Sequence, residues 1–233
     1  MLSRASGLLI PTLQEGSDFE KDLLHPYFLG ERLTREELES CMSIGLRLMV
    51  HDGTKLELDV PAHSIVQLWP QALSSHMGFS SDNGHQQLLD VNGALKTTDA
   101  VGTNGTMEYR CDGGVNITTK GIVCGTDATA VAQTDYSLVT LIAAGNGAGQ
   151  LAHATTGFAA VSSSGTSRLI TITRAFTNNS GGVINVAEVA LYCTIQDSAN
   201  NVNTHMLCRD ILSFSVGIGQ TKTVTYVLTV ALT

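Results

Sequence analysis

The sequence predicts a mainly β protein: an antiparallel β-sandwich or jelly-roll-like domain with a small helical N-terminal region. Three observations carry that expectation. From about Lys120 onward the chain is a succession of short Thr- and Val-rich segments separated by Gly, Asn and Ser clusters, with no helical period between them. The last segment alternates, with Val224, Tyr226, Leu228, Val230 and Leu232 set for a core and Thr223, Thr225 and Thr229 for the outside. Charge is also divided unevenly. Residues 1–60 hold 17 of the 34 Asp, Glu, Lys and Arg, while the 173 residues from Pro61 carry the other 17, about a tenth where soluble domains average about a quarter.

A chain of 233 residues, 43% of them hydrophobic, suffices for one large β domain or a sandwich with a coupled smaller part. The charge pattern divides it into residues 1–95, an N-terminal arm and helical docking region, and residues 96–233, the sandwich. Aromatics are only 5%, so the core must be built from Val, Leu, Ile and Ala, with Trp69 as the one indole.

In chain order, Thr34-Arg-Glu-Glu37 fits a capping box. Leu38, Cys41, Met42, Gly45, Leu46 and Met49 follow at helical spacing, which predicts a helix from about Arg35 to Val50 ended by His51-Asp-Gly53. Leu56, Leu58 and Val60 alternate with Glu57 and Asp59, the period of a short strand. A second helix is expected from near Ser64, with Ile65, Leu68, Trp69, Leu73 and Met77 on one flank and Pro70 bending or interrupting it. Residues 78–95 read as an exposed loop.

Eight strands are then expected: Thr106–Arg110, Asn116–Cys124, Leu138–Leu141, Leu151–Val161, Ser167–Thr177, Val183–Cys193, His205–Leu212 and Lys222–Leu232. Between the fifth and sixth, Asn178-Asn-Ser-Gly-Gly182 supplies residues that tolerate positive φ, and a hairpin centred on Gly181 would set Arg174 opposite Glu188. These two are the expected structural ion pair, fixing the register of the hairpin.

Composition excludes several functions. A net charge of −8 with no run among 13 basic residues opposes binding to nucleic acid. No stretch of about 18 apolar residues is present to span a bilayer, and the start lacks the order of a signal peptide, so cytoplasmic synthesis is expected. Cys41, Cys111, Cys124, Cys193 and Cys208 have no C-x-x-C spacing and read as small buried hydrophobes, though Cys111 with Cys124, or Cys193 with Cys208, could bridge under oxidation.

Catalytic and metal sites are equally poorly marked. His25, His51, His63, His76, His85, His153 and His205 show no zinc-site spacing, so neither a metal nor a cofactor is expected. Gly145-Asn-Gly-Ala-Gly149 lacks the G-K-[ST] ending of a phosphate loop and reads as a turn, and Ser162-Ser-Ser-Gly165 lacks the form of a nucleophile elbow. Asp127 with Asp135 and Glu188 with Asp210 are the carboxylate pairs a glycosidase would need, but few aromatics accompany them. Asn104-Gly-Thr106, Asn116-Ile-Thr118 and Asn178-Asn-Ser180 fit the glycosylation rule and are read as turn and strand residues. No catalytic residue is assigned.

An ordered series of motifs does carry a resemblance. Gly121-Ile-Val-Cys-Gly-Thr-Asp-Ala-Thr-Ala-Val131, Asp135-Tyr136, Gly147-Ala-Gly-Gln-Leu151, Ile172-Thr-Arg-Ala-Phe-Thr-Asn-Asn-Ser-Gly181, Glu188-Val-Ala-Leu-Tyr192, Cys208-Arg-Asp210 and Gly219-Gln-Thr221 resemble a virion structural protein of tailed bacteriophages. The resemblance covers about residues 115–233, and Ser64–Gly78 is similar to the helical part of such proteins. It implies a homo-oligomeric subunit in contact with other virion proteins on the tail, neck or capsid, and not an enzyme. Residues 1–60, with the apolar Gly7–Leu13 stretch, would be an arm that orders on a neighbour. The rival expectation is a host-surface or carbohydrate-binding module whose loops read a host glycan.

Overall fold

The computed structural model describes residues 2–5, 8–11, 42–62, 65–76, 87–97, 109–197, 199 and 201–232. The predicted capping box and the first part of the predicted helix, residues 34–41, lie outside them, as do residues 106–108 of the first expected strand. Two short strands, β1 (Leu2–Ala5) and β2 (Leu8–Pro11), pair antiparallel with each other near the N-terminus. The rest of the described chain is mainly β, in two antiparallel sheets that face each other.

The larger sheet holds seven strands. Its spine is β10 (Ser162–Ser164), β11 (Ser167–Thr177), β14 (Thr221–Leu232), β3 (Met42–Asp52) and β4 (Lys55–Ala62), in that order. Along the outer edge of β11, β8 (Ala152–His153), β9 (Gly157–Phe158) and β10 run in series, pairing with Phe176, Ile172 and Leu169 in turn. An edge broken into such short pieces offers little template for another chain. The smaller sheet is β13 (Val202–Val216), β12 (Ile184–Gln196) and β7 (Gly121–Gly125).

One core lies between them. Leu48, Val50, Val224 and Phe176 from the larger sheet and Ile122, Cys124, Val189 and Cys208 from the smaller are all fully buried. Tyr226 of β14 reaches across, its hydroxyl 2.9 Å from the Asp210 carboxylate and 3.3 Å from the Val189 carbonyl. The alternation expected for β14 holds for Val224 and Tyr226, but Thr225 on the opposite face is also buried, because β14 is flanked on both sides by long strands.

Several expectations need correction. Residues 42–50 form a strand, not the end of a helix: Leu46, Leu48 and Val50 are buried while Gly45 and Arg47 are exposed, so the period is two. Apolar residues stand at both spacings here, and pairing with β14 and β4 on its two sides decides for the strand. Gly53, at φ 58°, then serves a β3–β4 hairpin instead of a helix end. By the same fact residues 42–62 are not an arm: β3 lies between β14 and β4 in the larger sheet, and β4 forms its edge.

The third correction concerns the expected hairpin across residues 178–182. Strand β11 pairs with β14 and β12 pairs with β13 and β7, so the connection arches from one sheet to the other. Asn178 is fully buried at that arch; its side-chain amide donates to the carbonyls of Gly182 and Val216 at 2.8 and 2.7 Å, and its Oδ1 accepts from Ser180. Residues 138–141, expected as a strand, are instead irregular, touching β7 through a single bridge between Leu141 and Gly125.

A third layer covers the outside of the smaller sheet. Helix α1 (Leu68–His76) packs on β13, with Leu68 and Ala72 buried; Pro70 falls in its first turn, where a missing N–H costs nothing, so the helix runs on without the expected break. The hairpin of β5 (Gln87–Leu89) and β6 (Leu95–Thr97) is tied to β13 by Val91 N–H to the Thr204 carbonyl at 2.9 Å. The segment 126–141 completes the layer.

Candidate functional site

Register shows which side of the smaller sheet each residue faces. Val189 is level with Cys124 and Asp210, and Asp210 meets Tyr226 of the other sheet, so that row points into the core. Glu188 and Arg209, one residue away on their strands, therefore point outward, under the segment 126–141. Both are buried all the same. Arg209 Nε donates to Glu188 Oε2 at 2.7 Å, Nη1 donates to Asp135 Oδ2 at 2.8 Å and Nη2 to the Thr129 carbonyl at 3.0 Å. Burial alone would lower the Arg209 value, but the bonds to Glu188 and Asp135 outweigh it and the guanidinium is held above its ordinary range.

Glu188 also accepts from the backbone N–H groups of Val139 and Thr140 at 3.2 and 2.8 Å, and Tyr192 Oη accepts from Leu138 N–H at 2.8 Å. The whole covering segment is thus laid down on a charged anchor. Gly125 is required beneath it, for a Cβ there would stand 2.3 Å from Glu188 Oε1 and 2.6 Å from the Thr140 carbonyl. Breaking such a buried cluster by removing one partner costs about 3–5 kcal/mol, because the other charge is left uncompensated.

Above this anchor lies an open groove of about 150 Å³. Helix α1 with its leading residue Gln67, the β5–β6 hairpin and residues 133–136 form its three walls. Gln67, Gln87, Gln133 and Tyr136 are exposed on it, and Leu68, Leu89 and Leu95 supply apolar surface. Asp135 is fixed at its base: Oδ2 accepts from Arg209 and from Ala132 N–H at 3.0 Å, while Oδ1 takes no hydrogen bond within the described residues. A fixed carboxylate oxygen, several side-chain amides and one aromatic ring thus present hydrogen-bond donors and acceptors beside apolar surface.

The predicted ion pair of Arg174 and Glu188 is not formed, since the two strands lie in different sheets. Arg174 is buried on the inner side of β11 and spends all five N–H donors on backbone carbonyls: Ala154 at 2.8 Å, Ile122 at 2.9 Å, Lys120 at 3.3 Å, and Gly114 and Ile117 at 2.7 Å. It is the pin that holds the irregular run 113–120 and the start of β7 against the sandwich. Burial pushes its guanidinium down to about 10, which leaves it charged at neutral pH. Glu188 has Arg209 as its partner instead, a residue the sequence reading singled out only within a motif.

The other candidates do not gather. Asp210 and Glu188 face opposite sides of their sheet, and Asp127 is spent on Thr129 N–H at 2.6 Å. His153 is buried, edge-on to Phe176 at 4.9 Å, with no hydrogen-bond partner at either ring nitrogen, and burial drives it down to about 4. His205 contacts the Leu89 carbonyl at 2.9 Å. His25, His63 and His85 lie outside the described residues, as does Cys41. Cys111, Cys124, Cys193 and Cys208 are free and buried, and burial pushes the Cys111 thiol up to about 12. Among the described residues no three His, Cys, Asp or Glu side chains come together as metal ligands, and no helix is long and apolar enough to cross a membrane.

No protein-family model, no curated protein and no solved structure matches this chain.

Proposed function

We propose that this chain is a structural subunit of a tailed-bacteriophage virion that assembles as a homo-oligomer on the tail, neck or capsid, against other virion proteins. Two lines support the reading, the ordered motif series over residues 115–233 and the way the fold uses its charge. Lys222 is bound by Asp52 and Glu57, Arg110 and Lys120 by Asp112, Arg47 by Asp59, Lys96 by Asp90, and Arg209 by Glu188 and Asp135.

The observation that carries the proposal is one end of the sandwich. There Asn178 ties the β11–β12 arch to the β13–β14 turn, through Gly219 N–H to its carbonyl at 2.7 Å and its own N–H to Gln220 at 2.9 Å. No charged residue occurs from Ala175 to Ala187 or from Ile211 to Thr221, and Val183 and Ile218 are each 62% exposed. An uncharged end with projecting aliphatic side chains is suited to contact with a second copy.

Sedimentation velocity on the purified chain tests the assembly, and peptide mass spectrometry of purified particles tests its place. The expected results are an oligomer that Val183→Glu and Ile218→Glu shift toward monomer, and peptides of the chain in the particles. A wild-type monomer at high micromolar concentration together with absence from the particles would refute the proposal.

A further inference from the structure

We propose that the groove above Asp135 is a binding site for one ring of a neutral saccharide. This goes beyond a structural role and does not depend on it. The size is the first argument. A cavity of about 150 Å³ accepts benzene in an engineered protein core, so a six-membered ring fits a groove of this volume. Its three walls come from three separate segments, and the strands that line it, β5 and β6, are only three residues long, too short to template an extended peptide.

The chemistry is the second argument. The side-chain amides of Gln67, Gln87 and Gln133 make no hydrogen bond within the described residues, and each offers two donors and an acceptor. Neighbouring hydroxyls on a sugar, each a donor and an acceptor, match that mixture, whereas an anion would use only the donors. Asp135 presents Oδ1 as a further acceptor, and its position is set from beneath by Arg209. The buried cluster of Arg209, Glu188 and Asp135 carries one positive and two negative charges, which disfavours phosphates and carboxylates.

The third argument is the aromatic wall. Tyr136 is 38% exposed, and its ring lies so close over Gly93 that a Cβ there would come within 3.2 Å of it. A ring held in this way, with Leu89 and Leu95 beside it, gives the C–H face of a pyranose an apolar surface that needs no ordering on binding.

The test is saturation-transfer NMR on the full chain with glucose, galactose, N-acetylglucosamine and, as a rival ligand, the tripeptide Gly-Gly-Gly. At least one sugar is expected to saturate with a millimolar Kd and to bind at least fivefold more weakly to Tyr136→Ala and to Gln133→Ala. Gln133 is exposed, so the urea midpoint of Gln133→Ala should match the wild type, and this variant separates loss of binding from loss of fold. Failure of all three sugars to saturate, binding unchanged in both variants, or saturation by the tripeptide alone would overturn the proposal. None of these outcomes bears on whether the chain is found in virions.

Discussion

Replacing Arg174 by Met keeps most of the side chain's volume and removes every donor. Five carbonyls then lose their partner, that of Ile122 in a buried position and those of Gly114, Ile117, Lys120 and Ala154 in part-buried ones. Hydrogen bonds to a charged group contribute about 1.5–3 kcal/mol each, and the sum is offset by the several kcal/mol it costs to bury the guanidinium at all. The net loss expected is about 3–5 kcal/mol, a large part of the 5–15 kcal/mol that holds a typical domain together. With a urea slope near the upper end of the usual ~1–3 kcal/mol per molar, the midpoint should fall by about 1–1.7 M.

The loss should also be local in its first effects. Thr156 N–H, bonded to the Gly113 carbonyl at 2.7 Å, and Asn116 N–H, bonded to that of His153 at 3.0 Å, should exchange with solvent faster, while amides of the β12–β13 ladder keep their protection. Arg174→Lys retains the charge with three donors for five acceptors and should fall between the two. A midpoint within about 0.3 M of wild type, or amide protection lost evenly over the molecule, would refute the assignment of Arg174 as the pin of this region.

Acid should weaken the fold through His153. Its value is about 4 when folded against 6.5 for the free side chain, so the unfolded chain takes up the proton first; the stabilisation is complete above pH 6.5 and is lost as pH falls toward 4. The span corresponds to about 3 kcal/mol, and thermal melts between pH 7 and 4 should show it, with a shallower slope for His153→Leu, in which His205, also lowered by burial, and the lowered carboxylates Asp90, Asp112 and Asp197 still contribute. A His153→Leu variant with the same pH slope as wild type would exclude this origin. Gly125→Ala should cost about 1–3 kcal/mol by forcing Glu188 and the Thr140 backbone apart, whereas Gly181→Ala, with nothing within 4 Å, should leave the urea midpoint nearly unchanged. Equal midpoints for the two variants would remove Gly125 from the cluster.

Strand positions were far more legible than strand partners. The run Ser167–Thr177 was expected residue for residue, and β12, β13 and β14 to within a few positions, because alternation and turn residues are local signals. Pairing is not local. Asn178-Asn-Ser-Gly-Gly182 announces a change of direction, but the same residues serve a hairpin or an arch, and only the partners of β11 and β12 distinguish them. Residues 42–50 misled for a different reason, since Met42, Gly45, Leu46 and Met49 match a helical spacing while Leu46, Leu48 and Val50 match a strand. The groove could not be read at all: Gln67, Gln87 and Gln133 are unremarkable residues in three distant segments, and they come together only because α1, the β5–β6 hairpin and residues 133–136 cover one sheet.

The central member of the larger sheet, β14, comes after every other described strand in chain order, and its two neighbours, β3 and β11, bond to it along almost their whole lengths. During synthesis the β3–β4 hairpin and β11 therefore leave the ribosome with their inner edges bare and cannot complete their ladders on one another. Consolidation must wait for residues 221–232, then join segments far apart in the chain, a closure that makes folding slow and places the hazard of mispairing with other nascent chains in that interval.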